Sequence, residues 1–361
     1  MGKRSKTINL ALQGGGSHGA FTWGVLDALL EDGRLTFEGI SGTSAGAMNA
    51  VALAHGLAKA QADGLEGVAA REAARAALAR FWDGVGLLGN FVSGIPVPGV
   101  QTMMTMVTQW LAPSQMNPMG LNPLLRLLER EVNFELLSSQ SLIKVFVNAT
   151  NVRTGRGEIF SGERLTANAV MASACLPTLY QTVEIDGEHY WDGGFSGNPA
   201  IYPLIYNTRS VDVLLVQINP IEAPYDRSAG AQDIMERINE ITFNAPLLAE
   251  FRAIDFVTRL LDEGRLDKNR YKRMLMHRVD GGSALTVLNA SKLRADSAFV
   301  RRLFARGREA VEKLLQREGK TALKLEELAN QLGFAHADKL FEVVGKDEFS
   351  LRNIEAVLNP P

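Results

Sequence analysis

Residues Phe37 to Leu53 read as an apolar, β-like approach (Phe37, Ile40), a turn Gly42-Thr43-Ser44-Ala45-Gly46, and a helical run through Ala47, Met48, Ala50, Val51 and Leu53. A G-x-S-x-G spacing between a strand and a helix constrains the fold more than any other stretch of the chain. A serine on so tight a turn has a strained backbone, and side chains at i−2 and i+2 would collide across it, which calls for Gly42 and Gly46. The helix that follows points its free N–H groups and positive dipole end at any charge developing beside the serine oxygen. A plain strand-to-helix turn with Ser44 as N-cap has the same letters, so support must come from elsewhere.

A second glycine cluster supplies it. Thr7 to Leu12 reads as a buried strand, and Gln13-Gly14-Gly15-Gly16-Ser17-His18-Gly19 leads directly into a helical pattern at Ala20, Phe21, Val25, Leu26 and Leu29. Such a loop presents unobstructed N–H groups, suited to a phosphate or an oxyanion. Gly14, Gly16 and Gly19 also fit the dinucleotide fingerprint G-x-G-x-x-G. A dinucleotide domain, however, wants an acidic residue ending its second strand, and here that strand runs into Ser41-Gly42-Thr43-Ser44.

The 361 residues, 46% hydrophobic and 22% charged, suffice for one large α/β domain with an appendage. A formal net charge of −2 provides no basic field, so nucleic acid is not an expected partner. Cys175 is the single cysteine, which excludes an internal disulfide and reads as a small packed residue. No Cys/His cluster has metal-ligand spacing, and no cofactor is expected. The basic start with about five apolar residues before the glycines is too short for a signal-peptide core. Lys6 stands where a myristoylation signal wants Ser or Thr, and no run reaches the length of a membrane span. A reducing cytoplasmic setting is the expectation.

Further along, Ala58 to Trp82 reads as helix. Residues 83–123, rich in Gly, Pro and Met, read as an insertion, with an adaptable lid over an apolar substrate and plain core packing as the alternatives. Ile143 to Thr150 reads as a strand, Asn151 to Phe160 as a hairpin about Thr154-Gly155-Arg156-Gly157, and Leu165 to Cys175 as a helix stopped by Pro177. Asp186-Gly187 marks a two-residue hairpin whose second strand enters Trp191-Asp192-Gly193-Gly194, and Val211 to Asn219 is a further strand. Residues 231–361 read as a mainly helical region packed on or appended to a core at 1–230. Leu247, Phe251, Ile254 and Leu261 form one apolar face of it, and Phe299, Leu303 and Val311 another. Arg301, Arg302, Arg306 and Arg308 make either a solvated helix face or a contact for an anionic membrane surface. Oligomeric state is not read from the sequence.

In chain order, the cluster Gly14 to Gly19, the turn Gly42 to Gly46 and the triplet Asp192-Gly193-Gly194 resemble the patatin-like phospholipase family over roughly residues 7–220. The resemblance implies a three-layer α/β/α fold with a largely parallel sheet. It implies Ser44 as nucleophile, Asp192 as its base, and the loop Gly14, Gly15 and Gly16 as oxyanion hole, Gly15 and Gly16 foremost as N–H donors. Ser17, His18, Gly19, Thr43, Ala45, Gly193 and Gly194 complete the motifs, and lipid acyl esters are the implied substrate, cleaved in the manner of a phospholipase A or lysophospholipase. The family usually has Arg or Lys where this chain has His18, whose charge depends on pH.

On its own Asp192 reads as a β-turn aspartate before glycines; with the resemblance, the chemistry is consistent with a dyad in which Asp192 takes the serine proton directly and Gly193 and Gly194 let its turn approach Ser44. A carboxylate of ordinary acidity is a poor base for serine, so burial must raise its pKa. Two alternatives stand beside this one. A Ser-His-Asp esterase would use His277, which follows Asp192 in the order Ser, Asp, His. An inactive lipid-binding or partner-binding protein would keep the fold alone. His55, His189 and His336 read as surface or packing residues.

Overall fold

The structure is a computed structural model and describes residues 5–93, 122–140, 142–177, 179–222, 230–281, 285, 292 and 294–316. Its strands are β1 Lys6–Leu12, β2 Leu35–Gly42, β3 Lys144–Asn151, β4 Gly157–Phe160, β5 Val183–Ile185, β6 Glu188–Asp192, β7 Asp212–Gln217 and β8 Leu275–Asp280. They form one sheet in the order β5-β6-β3-β2-β1-β7-β8, with β4 paired to β3. The sheet is mixed: β3, β2, β1, β7 and β8 run parallel, and β4, β5 and β6 add an antiparallel margin.

Alternation along each strand sorts the apolar residues onto two faces. Leu10, Leu12, Val145, Val147, Leu214 and Val216 share one core with α1 Gly19–Asp32, α2 Ala45–Ala62 and α3 Gly67–Ser93. The short helices α4 Pro123–Glu131, α5 Phe134–Gln140 and α6 Ala167–Ser173 join the same core through Leu128, Leu137 and Val170. Ala11, Phe146, Val213 and Leu215 face the other way, onto α7 Tyr202–Asn207 and the long α8 Ala231–Asp262. On α8, Leu247, Phe251 and Ile254 are the buried face, each fully buried side chain contributing about 1.5–3 kcal/mol. Helices therefore cover both faces of the sheet, in the three-layer arrangement expected.

Two boundaries differ from the sequence reading. The helix expected over Ala58 to Trp82 breaks after α2, where Gly64 adopts φ 73°, and resumes as α3. That helix continues to Ser93 instead of giving way to an insertion at residue 83. Its glycines serve close packing, since a Cβ on Gly89 would lie 2.1 Å from the carbonyl oxygen of Ala295. The rest of the expected lid, residues 94–121, lies outside the described residues.

The region after residue 230 is built into the same sheet and core. Strand β8 extends the sheet beyond β7, and α9 Ser297–Gln316 buries Phe299, Val300, Leu303 and Val311 in the first core. Of the arginines read as a solvated or membrane-facing set, Arg308 pairs with Asp27 and Glu31 of α1, and Arg301 with Asp83 of α3 at 2.6 Å. Among the described residues no helix is long and apolar enough to cross a membrane, and no group of His, Cys, Asp and Glu is placed to hold a metal ion.

Candidate functional site

Ser44 is the N-cap of α2, with φ 54° and ψ −122°, a conformation that costs a non-glycine residue about 1–3 kcal/mol. The turn can be this tight because of its glycines. A Cβ on Gly42 would lie 2.5 Å from the Gly46 carbonyl oxygen, the expected collision across the turn, whereas one on Gly46 would strike the Leu12 carbonyl of β1 at 2.1 Å. Thr43 holds the turn from below, its N–H on Leu12 O at 3.3 Å and its Oγ1 on Gly197 O at 2.7 Å. The Ser44 N–H donates to Ser173 Oγ at 2.9 Å, at the end of α6.

Register brings Asp192 level with Ser44. On β3, Val147 pairs with Gly42 and Ala149, two residues on, pairs with Asp192. Asp192 is 1% exposed, its N–H donates to Cys175 O at 2.7 Å, its carboxylate accepts the Gly194 N–H at 2.7 Å, and the Ser44 hydroxyl stands near enough to favour its charge. Burial pushes its pKa up to about 7, against the opposing pull of those two donors. Gly193 and Gly194 do not make room for the Ser44 turn as expected. A Cβ on Gly193 would lie 2.0 Å from Asn148 O of β3, and one on Gly194 2.7 Å from the Phe243 ring of α8.

The glycine loop follows β1 and abuts the same turn, since a Cβ on Gly14 would lie 2.7 Å from that of Ser44. Its three glycines are not equivalent. Gly14 donates its N–H to Asn198 Oδ1 at 2.7 Å, and its carbonyl accepts Asn219 Nδ2 at 2.5 Å. Gly15 and Gly16, and Ala45 at the first turn of α2, have N–H groups with no acceptor among the described residues. The candidate anion donors thus narrow to these three. Ser17 anchors the loop, its N–H and Oγ both on Lys292 O, at 2.9 and 3.0 Å. His18 is fully buried at the N-cap of α1, its ring 6.2 Å from that of Phe299, and Gly19 opens that helix.

Residues 10–205, more than half of the chain, match the family model described as patatin-like phospholipase. The chain belongs to the patatin-like phospholipase family. A second model, described as the RelA/SpoT AH domain, matches residues 301–358, of which 301–316 are described, within α9. Among solved structures, VipD from Legionella pneumophila matches at 17% identity and a TM-score of 0.33, over 82% of this chain and 66% of that one. The chain therefore spans just under two thirds of that neighbour's length. Comparison with curated proteins returns no match.

Within this patatin-like chain the family span takes in the glycine loop, Ser44 and Asp192, but not Asn219, α8, β8 or Lys292. His277 is not brought to the site. It lies on β8, where Leu214 pairs with it, Leu10 with Leu214 and Ile40 with Leu10, so its row falls four residues short of Ser44. Three strand spacings of about 4.8 Å also separate β8 from β2. Its Nε2 is within 2.8 Å of Asp212 Oδ1, and Asp212 pairs with Lys6 at 3.1 Å. Burial works against the Asp212 charge, but these two partners hold its carboxyl below the usual range.

The remaining histidines also lie in other surroundings. His55 is buried in α2, where burial and then Arg80 and Lys59 lower its pKa, and His189 is exposed on β6 with Nδ1 3.1 Å from Thr182 Oγ1. His336 lies outside the described residues. Cys175 is buried, its thiol on Gln181 O at 3.0 Å, and burial followed by the Asp192 charge raises its pKa to about 11. Ser173, Asn198, Gln13 and Asn219, which position the loop and the turn, were not singled out by sequence. Ser173 stands among small residues four before Pro177, and Asn198 comes four residues after the Asp-Gly-Gly triplet, the only signals either offers.

Proposed function

We propose that this protein is a serine acyl hydrolase of lipid acyl esters, of the phospholipase A or lysophospholipase type, acting through a Ser44-Asp192 dyad. The observation that carries the reading is Ser44, strained on its turn, beside a buried Asp192 carboxylate whose pKa burial raises to about 7 and which the Ser44 hydroxyl pulls back down. A base of that pKa is ionised in a useful fraction at neutral pH and is far stronger than an ordinary aspartate. Asp192 accepts the Ser44 proton as Oγ attacks the ester carbonyl, and the N–H groups of Gly15 and Gly16, joined by that of Ala45, bind the tetrahedral oxyanion. The protonated Asp192 then gives its proton to the departing alcohol. Water, deprotonated by Asp192, releases the acyl group from Ser44 and restores the dyad.

Lipid as substrate rests on the family, whose members are lipid acyl hydrolases. Substrate contact at a membrane surface, in a cytoplasmic setting, belongs to the same proposal. The test is a panel of phospholipids, lysophospholipids and simple esters, given to wild type and Ser44→Ala, together with labelling by a fluorophosphonate probe. Hydrolysis and labelling that both vanish in the variant are expected. A folded wild type that neither labels at Ser44 nor turns over any lipid would favour the inactive binding protein.

A further inference from the structure

In the proposed reaction negative charge develops on an oxygen facing the Gly15 N–H, and that N–H shares one peptide group with the Gly14 carbonyl. Polarising the carbonyl therefore strengthens the N–H as a donor. The Gly14 carbonyl accepts Asn219 Nδ2 at 2.5 Å, and Asn219 Oδ1 in turn accepts Lys292 Nζ at 3.2 Å. Gln13 Oε1 holds Asn219 beside this line, accepting the Asn219 and Ile218 backbone N–H groups at 2.9 Å and Asn219 Nδ2 at 3.4 Å. A cation, an amide and a peptide thus stand in series.

Among the described residues the charge at the head of the series is not cancelled. Lys292 Nζ also reaches Glu240 Oε1 at 3.2 Å, but the other oxygen of Glu240 takes Arg237 Nη1 at 3.0 Å, so two cations share one carboxylate. Glu240 is 2% exposed and Asn219 is buried, which limits screening by water. Lys292 also braces the loop through its backbone carbonyl on Ser17, a contact that does not depend on its side chain.

We infer that Lys292 is a positioning residue for the oxyanion site, its ammonium polarising the Gly14–Gly15 peptide through the Asn219 amide so that the Gly15 N–H binds developing negative charge more strongly. The inference rests on the hydrolase reading and names a residue beyond the family-matched span. Loss of a whole oxyanion donor costs about a hundredfold or more in kcat, and weakening one donor through two intermediates costs less, about tenfold.

The test compares wild type with Lys292→Met, Lys292→Arg, Glu240→Gln and Asn219→Ala on a chromogenic butyrate ester. Inhibition by a trifluoromethyl ketone, whose serine adduct carries an oxyanion, is measured alongside. Lys292→Met should lower kcat about tenfold, leave KM within about twofold, and weaken the ketone in proportion. Lys292→Arg should restore most of the loss, and Glu240→Gln, which breaks the ion pair but keeps the cation on Asn219, should retain kcat. Added to Asn219→Ala, Lys292→Met should cost nothing more. Should Lys292→Met not fold, Lys292→Gln takes its place against Lys292→Arg. An unchanged kcat, a loss confined to KM, an equal loss in Glu240→Gln, or additive losses with Asn219→Ala would overturn the inference. A wild type inert toward every ester fails differently, sinking the hydrolase reading itself.

Discussion

The Ser44 N–H ends on Ser173 Oγ at 2.9 Å, and two residues further along the Cys175 carbonyl receives the Asp192 N–H at 2.7 Å. The end of one short helix, α6, therefore braces both members of the proposed dyad. Strands β2 and β6, which carry them, are separated by β3 and set only their level. The last step of convergence comes from α6, whose Ala169, Val170, Met171 and Ala172 are buried in the core. Serine and carboxylate are thus positioned by a packed element as well as by their own loops.

Removing either member of the dyad should be as damaging as removing both. Ser44→Ala, Asp192→Asn and the double variant are expected to fall together to background ester hydrolysis, because residues of one catalytic unit are strongly non-additive. The assay is single-turnover hydrolysis with matched circular dichroism. A folded Asp192→Asn enzyme that keeps more than about a tenth of wild-type kcat would remove Asp192 from the role of base.

His277 should matter to stability and not to turnover. His277→Ala leaves Asp212 with Lys6 alone in a buried place, which costs about 1–3 kcal/mol. A lowered melting temperature with kcat close to wild type is the expected pair of results. An inactive but folded His277→Ala would bring the triad forward, against the three strand spacings that separate β8 from β2.

What the sequence made legible was decided by local sterics. Gly42 and Gly46 announce the Ser44 turn because each fills a place where a Cβ would meet backbone, and Asp186-Gly187 announces its hairpin because both residues adopt positive φ. Strand β8 was not legible, because His277 and Arg278 break its apolar run. Their side chains pair with Asp212 and Gln217 of β7, residues that no local pattern connects to them. The same holds for Ser173, Asn198 and Asn219, whose partners in the site lie 129, 184 and 205 residues away. The glycines of α3 misled for the opposite reason. Each weakens a helix by about 1 kcal/mol in isolation, and here close packing on Leu127 and on the Ala295–Ser297 backbone offsets it.

Ser173→Ala tests the brace. It removes the acceptor of the Ser44 N–H without touching the reacting atoms, so it should cost about 1 kcal/mol of stability. Looser positioning of the serine should lower kcat by about tenfold with little change in KM. Ser173→Thr, which keeps a hydroxyl, should recover part of the loss. Wild-type kcat in a folded Ser173→Ala enzyme would show that the turn is held by Thr43 and its glycines alone.

The raised pKa of Asp192 makes two linked predictions with opposite slopes. As a base it works only when ionised, so kcat/KM should rise with pH through about 7 and fall about tenfold per unit below it. Stability runs the other way. With a folded pKa near 7 and an ordinary value of 3.8 when unfolded, the native state holds the proton more tightly between these limits. The cost of ionising buried Asp192 is absent below about pH 4, grows as pH rises toward 7, and is complete above it. Asp192→Asn removes that cost, so the variant should melt a few degrees above wild type at pH 8, with an advantage that shrinks as the pH is lowered toward 5. Glu250 provides the needed caution and the needed control. Its carboxyl, buried while accepting the Ile201 and Tyr202 N–H groups, is also raised to about 7, but it is present in both proteins and cancels in the difference. Melting temperatures of the two proteins from pH 5 to 8 measure the effect. A difference that stays flat across that range would mean that Asp192 titrates in the native state much as it does in the unfolded chain, and the dyad would then lack the base it requires.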